Sequence, residues 1–175
     1  MSNYYRLART TLAAAALAGL AACANLAQVA PGTPLADVQA QFGRPNFECP
    51  QANGGRRVIW TQQPMGQYAW GANVGADGRV GRVDRVVPLL TDAHFKVLEQ
   101  GQWGPDRVRC EFGPPARIEE AGLGEKREVV WSYRYKENGV WNSLMYVYMG
   151  RDGNSLTHFH PGPDPMYDDD RFMWR

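Results

Sequence analysis

The chain has 175 residues, 44% hydrophobic and 21% charged, and its 19 Lys and Arg against 18 Asp and Glu give a net charge of +1. That length holds one large domain or two small ones with real cores. A balanced charge, with no basic cluster interleaved with aromatics, gives no footing for a nucleic-acid partner.

Arg6 and Arg9 precede a weakly apolar run from Thr10 to Leu20, and Leu20-Ala21-Ala22-Cys23 follows. This is the order of a signal peptide over residues 1–22 that ends at a modified cysteine. The apolar run is too short to span a membrane. Leu20-Ala21-Ala22-Cys23 resembles the lipobox of bacterial lipoproteins, which implies cleavage before Cys23 and its acylation on both thiol and amine. Loss of 22 residues removes Arg6 and Arg9, leaving 17 basic against 18 acidic residues and a net charge of −1. Several acyl chains hold a protein stably at a membrane, where one would be marginal. Ala24 rather than Asp after the cysteine implies, by the same resemblance, the periplasmic face of the outer membrane. Residues 23–33 then read as a lipidated tether reaching at most ~35 Å.

Next comes Pro31-Gly-Thr-Pro-Leu-Ala-Asp-Val-Gln-Ala-Gln-Phe-Gly-Arg-Pro45, whose skeleton returns as Gly101-Gln-Trp-Gly-Pro-Asp-Arg-Val-Arg-Cys-Glu-Phe-Gly-Pro-Pro115. Val38, Phe42, Gly43 and Pro45 recur 70 positions later as Val108, Phe112, Gly113 and Pro115. Each run precedes a Trp-bearing strand and, further on, an Asp-Gly turn, so the chain reads as an internal duplication. Leu35, Val38 and Phe42 share one helical face. Gly43 and Gly113 suit the left-handed end of a helix, and Pro45 and Pro115 forbid its continuation.

The first unit, residues 34–88, is expected to run helix, strand, strand, strand. Its strands are Arg56 to Trp60, Tyr68 to Val74 by alternation, and Arg79 to Val87 after the Asp77-Gly78 turn. The second unit, residues 89–160, opens with a helix capped by Thr91 or Asp92 and closed by Gly101, with Phe95 and Leu98 inward. A helix over residues 105–112 follows, then strands over 129–136, Trp141 to Met149, and Ser155 to His160 after the Asp152-Gly153 turn. Residues 161–175 contain three prolines and no period, and read as an irregular tail whose Phe172, Met173 and Trp174 either dock or stay loose. The expected class is α+β: two tandem (α)αβββ units with helices on one face of antiparallel meander sheets.

Cys49 and Cys110 remain for an oxidising compartment. Cys110 lies about 200° around its helix from Val108, away from that helix's core face. A bond to Cys49 would tie the two copies through a loop of about 60 residues, contributing roughly 4 kcal/mol in the chain-entropy model. Two partly buried free thiols are the alternative.

The glycine, small polar residue, Val and Phe-Gly-x-Pro pattern, followed by Trp-bearing meander strands behind a lipobox, resembles the SmpA/OmlA (BamE) lipoproteins. Residues 91–160 carry the better match. The resemblance implies an α-α-β-β-β unit and a role as accessory subunit of the outer-membrane β-barrel assembly machine. The doubling is also similar to the β-lactamase inhibitor protein, whose two units form a concave sheet that grips its partner.

There is no G-x-S-x-G elbow, P-loop or nucleotide-type glycine fingerprint, so no catalytic residues and no cofactor are expected. His158 and His160 share one strand face, with Asp164 and Asp168 to Asp170 downstream, a donor set suited to zinc. His94 lies far off in sequence. Surface decoration is the simpler reading of the pair, and a solvated tail that of the aspartates. Met145, Val147 and Met149 match Trp70, Ala72 and Val74 on the helix-covered face, so Leu144, Tyr146 and Tyr148 point the other way. In the first unit that other face carries Gln67, Ala69, Gly71 and Asn73. With Arg134, the tyrosines Tyr146 and Tyr148 have the composition of an interface hot spot. Their burial against the other unit or the tail is the competing reading. The expectation is a non-enzymatic, membrane-anchored protein-binding module in outer-membrane protein assembly or envelope integrity, with a periplasmic inhibitor of a soluble enzyme as the alternative.

Overall fold

The computed structural model describes residues 25–81 and 85–167. The signal peptide, Cys23, Asp168 to Asp170 and Phe172 to Trp174 lie outside the described residues.

The duplication is written into the backbone. Helix α1 spans Leu35–Phe42, and strand β1 begins after it at Phe47–Pro50. In the second copy the helix is Pro105–Phe112 and the following strand Arg117–Ala121, so both helix ends and both strand starts are 70 positions apart. Gly43 (φ 80°, ψ 172°) and Gly113 (φ 84°, ψ −175°) end the helices at positive φ but with extended ψ in place of the expected left-handed helical turn, a region essentially reserved for glycine. Each donates its N–H back into the last turn, to Gln39 O at 2.9 Å and Arg109 O at 2.8 Å. An aromatic side chain then ties down each glycine carbonyl: Trp60 Nε1 donates to Gly43 O at 2.9 Å, and Tyr133 OH to Gly113 O at 3.1 Å. These bonds satisfy carbonyls that a helix end leaves open.

After β1 come β2 (Arg56–Thr61), β3 (Ala69–Val74) and β4 (Val87–Pro88). The second unit opens with α2 (Asp92–Phe95), capped by Thr91 Oγ1, which accepts from His94 N. A 3-10 turn over Lys96–Glu99 continues it before α3, the Pro105–Phe112 helix. Then β5 (Arg117–Ala121), β6 (Glu128–Glu137), β7 (Trp141–Tyr148) and β8 (His158–Pro163) follow. The chain is an α+β protein with two antiparallel meanders, β1-β2-β3-β4 and β5-β6-β7-β8.

Each sheet has four strands where three were expected. The additional ones, β1 (Phe-Glu-Cys-Pro) and β5 (Arg-Ile-Glu-Glu-Ala), are edge strands with little buried surface, so they lack the alternation that marks a half-buried strand. The expected strand from Arg79 to Val87 is also broken. Val80 bridges Val74 and Gly81 N donates to Asn73 O, but regular pairing resumes only at Val87 opposite Gly71. Val80 and Val86 are both buried in the α1-side core, which holds this segment by side chains rather than by a continuous ladder. The last strand is shifted three residues beyond its expected start, and its Pro161, Gly162 and Pro163 belong to the sheet instead of the tail. Prolines are tolerated there because β8 is an edge.

Residues 25–33 are not a free tether. Asn25 caps a 3-10 turn over Leu26–Gln28, Leu26 and Val29 pack into the α1-side core, and Gly32 N donates to Val80 O at 2.8 Å.

Four layers stack. Helix α1 covers the face of the first sheet that bears Val58, Trp60, Ala72 and Val74. The opposite face, with Ile59 and Ala69, joins Leu89, Phe95, Val108 and Phe112 in a second core that continues into Trp131, Tyr133, Met145 and Val147 of the second sheet. Helices α2 and α3 are thus sandwiched between the sheets. Gly71 belongs to the tight packing of that layer, since a Cβ there would lie 2.8 Å from Leu89 Cδ1. Cys49 is bonded to Cys110 across this layer, with Cα atoms 5.9 Å apart, joining β1 to α3. The first unit's second face is therefore covered, and the two sheets do not combine into one concave surface. No helix of the described residues is long and apolar enough to cross a membrane.

Candidate functional site

Of the four sheet faces, the outer face of the second sheet is the one without an α-helix over it among the described residues, and the turn after β8 lies over part of it, with Asp164 against Arg134 and Pro165 beside Ser132 and Tyr146. Strand register lays its side chains in rows: Glu119, Val130, Tyr148 and His158, then Arg117, Ser132, Tyr146 and His160, then Arg134, Leu144 and Gly162. Alternation puts the apolar partners of these residues on the helix side, which is why the strand pattern of β6 and β7 predicts both faces. Tyr146 and Tyr148 are half-buried on this face, and His158 and His160 are exposed.

The rings form a continuous stripe. Tyr148 stacks on His158 with centroids 3.9 Å apart, and lies 5.4 Å from His160, which is 5.6 Å from Tyr146. His160 Nδ1 sits 3.0 Å from Pro161 O, an acceptor only, so Nδ1 carries the proton. In the neutral ring Nε2 then accepts from Tyr148 OH, 3.2 Å away. Tyr146 lies over Gly162, where a Cβ would meet its ring at 2.8 Å. Burial first, then the negative charges of Glu119 and Asp164, raises the Tyr146 phenol above its ordinary value, so it remains a neutral hydrogen-bonding group.

Arg134 plays a different part from the tyrosines. Its Nε is 2.8 Å from Asp164 Oδ2 in a pair whose side chains are 16% and 0% exposed. Its Nη1 donates to Pro64 O, and Gln63 of the first unit brackets its backbone, accepting from Arg134 N at 3.2 Å and donating to Arg134 O at 2.8 Å. Arg134 is a clasp between the two units and the segment after β8. Asp164, expected in a solvated tail, is buried, and its other oxygen accepts from Met166 N. Nothing in the sequence pattern points to Gln63, because a side-chain bond to backbone 71 positions away leaves no periodic trace.

Between these groups lies a cavity of about 210 Å³ walled by Arg117, Glu119, Ser132, Arg134, Leu144 and Tyr146. Ser132 Oγ is buried there with no hydrogen-bond partner among the described residues. Such a hydroxyl is matched when a ligand or partner brings a polar atom to it. Arg117 and Glu119 pair at the mouth.

His94, remote in sequence from the other histidines, belongs to a second cluster between the units. Its Nε2 is 2.7 Å from Glu111 Oε1, which also receives Arg57 Nη2 from β2 at 3.3 Å, and a cavity of about 300 Å³ adjoins them. Among the described residues no three His, Cys, Asp or Glu side chains are grouped to hold a metal ion.

The fold and this face define a disulfide-linked, two-unit α+β protein in which, among the described residues, one sheet face has no α-helix over it. No protein-family model matches the chain, and no curated protein sequence matches it. Among solved structures, a DUF4309 family protein (YjgB) from Bacillus subtilis is similar at 17% identity, covering 81% of this chain and 86% of that one, with a TM-score of 0.29.

Proposed function

We propose that the chain is a lipoprotein anchored through Cys23 at the periplasmic face of the outer membrane, and that it binds a protein partner through the outer face of its second sheet in outer-membrane protein assembly or envelope integrity. The observation that carries this reading is the stripe of Tyr146, Tyr148, His158 and His160, open among the described residues, beside a cavity whose Ser132 hydroxyl has no partner among them. Rigid amphipathic rings supply contact area at low entropic cost, and a buried hydroxyl supplies selectivity. The Leu20-Ala21-Ala22-Cys23 run supports the anchor, and the bond between Cys49 and Cys110 accords with an oxidising compartment. Anchoring confines the protein to a surface and raises its effective concentration towards membrane partners. The absence of a recognised nucleophile motif in the sequence supports a binding role over catalysis.

A photo-crosslinking residue placed at Tyr148 in intact envelopes tests the reading. Recovery of the β-barrel assembly machine is the expected outcome, lost in a Tyr146→Ala, His160→Ala variant of unchanged unfolding midpoint. Recovery of one soluble periplasmic enzyme would favour an inhibitor instead. Equal recovery from a crosslinker on the opposite side of the molecule would sink the assignment to this face.

A further inference from the structure

The exposed apolar side chains are unevenly distributed. Among the described residues eight large hydrophobics are exposed, and six of them, Met65, Tyr68, Val140, Trp141, Met166 and Tyr167, belong to one end of the molecule. Register and contacts place them there. Met65 and Tyr68 lie in the loop between β2 and β3, and that loop touches the second sheet at Arg134 through Pro64 O and at Asn142 through Gln67, 2.7 Å away. Val140 lies in the β6–β7 turn and Trp141 opens β7 opposite Glu137, and Asp164 N donates to Asn142 O, which brings Met166 and Tyr167 near the same end. The other two, Ile118 and Leu123, sit on β5 and the β5–β6 turn, where Ala121 pairs with Glu128 far along the strands from Trp141. Trp141, at 67% exposure, is a large ring left in water with no partner to stack on among the described residues.

The N-terminal segment leaves from the same end. The Leu26–Gln28 turn lies against β4, whose Pro88 pairs with Trp70 and shares a groove with Tyr68, Asn138 and Gly139. Because Asn25 is already fixed as a cap, two residue steps separate Cys23 from the folded body, a reach of about 7 Å. An acyl-bearing Cys23 therefore has no slack with which to hold the body away from the bilayer.

We infer that this end is a membrane-contacting foot: its Trp, Tyr, Met and Val side chains sit in the phospholipid headgroup interface, and the protein stands on the bilayer in one orientation. The inference rests on the lipid-anchor reading. Aromatic rings with polar edges favour the water–lipid boundary, and shallow apolar side chains add affinity there. The foot carries no cluster of one sign of charge: Arg134 is paired with Asp164, and Lys136, Asp92 and Glu137 are each hydrogen-bonded to neutral groups of the fold. With no cationic cluster to call for anionic lipid, phosphatidylcholine is the probe membrane.

Bromine on lipid acyl chains close to the headgroup quenches nearby tryptophan. In the full chain Cys23 is the thiol left free by the bond between Cys49 and Cys110, so it can be coupled to a maleimide lipid in phosphatidylcholine vesicles whether or not cells acylate it. In a Trp70→Phe, Trp174→Phe background quenching is expected, and Trp141→Phe should reduce it about threefold, since the remaining Trp60, Trp103 and Trp131 are buried. Adding Leu123→Trp to the Trp141→Phe protein should not restore it. Equal quenching from the two ends, or none from Trp141, overturns the foot. Concentration-dependent dimers that shield Trp141 without quenching would also overturn it and assign the end to a second copy. Mass analysis of Cys23 from cells, measured separately, decides the anchor: an acylated chain whose Trp141 is unquenched loses the foot alone, and an unacylated one loses the anchor.

Discussion

At the scale of single residues, Arg134 and Tyr148 look alike in the sequence, polar positions on the open side of adjacent strands, yet their surroundings give them different work. Arg134 compensates a carboxylate with no side-chain exposure. Arg134→Ala leaves Asp164 charged and buried, and should cost about 3–5 kcal/mol, read as a lowered urea midpoint. Tyr148→Ala removes a half-buried ring stacked on an exposed histidine and should stay within about 1 kcal/mol while weakening partner capture. Equal destabilisation by the two changes would place Tyr148 in the frame of the fold. The direction in which Tyr146 and Tyr148 point follows from alternation along β7. The burial of Arg134 does not, because its partners Pro64 and Asp164 lie 70 positions before it and 30 after it.

At the scale of elements, the helix ends are the best-marked features of the chain, and the two copies allow a controlled comparison. Gly43 and Gly113 share the same positive-φ, extended-ψ backbone, but a Cβ at Gly43 would meet nothing within 4 Å while one at Gly113 would lie 3.3 Å from Ile59 Cγ2. Gly43→Ala should cost about 1–3 kcal/mol from backbone strain alone. Gly113→Ala should cost roughly 1 kcal/mol more, because its helix is packed between two sheets and Ile59 must give way. Indistinguishable denaturation midpoints would mean that the first sheet does not press on the end of α3. The strands divide the same way. Central β6 and β7 alternate clearly because both faces have distinct environments, whereas edge strands β1 and β5 bury too little to be marked.

For the whole molecule, the question is what keeps the two units in register, and Glu111 is central. Burial alone would raise its pKa, but the hydrogen bond from His94 and the charge of Arg57, with smaller help from His94 and Arg107, hold the carboxyl below its ordinary value of 4.5. A depressed folded pKa means that the ionised group stabilises the fold above the unfolded value and that this contribution is lost as pH falls from there through the folded pKa. Glu111→Gln should therefore lower stability by about 1–3 kcal/mol at pH 7, with the difference from wild type shrinking as pH drops below 4.5. Thermal unfolding of both proteins from pH 7 to 3 checks this. A difference that persists unchanged in acid would remove the ionised carboxylate from the account. The adjacent bond between Cys49 and Cys110 holds the same seam covalently, so the acid loss should loosen the interface without separating the units.

The sequence by itself determined the duplication, the ends of α1 and α3, and which side chains of each central strand turn towards the helices. Those are properties of neighbouring residues: a glycine that tolerates a left-handed backbone, a proline without an N–H, an alternation of period two. Only the tertiary structure decided that α2 and α3 would cover the first sheet's second face, leaving one outer face without a helix among the described residues, and that the chain from Asn25 would pack down beside an apolar end. Those outcomes depend on which buried surfaces meet across long separations, and no local pattern in the chain encodes that choice.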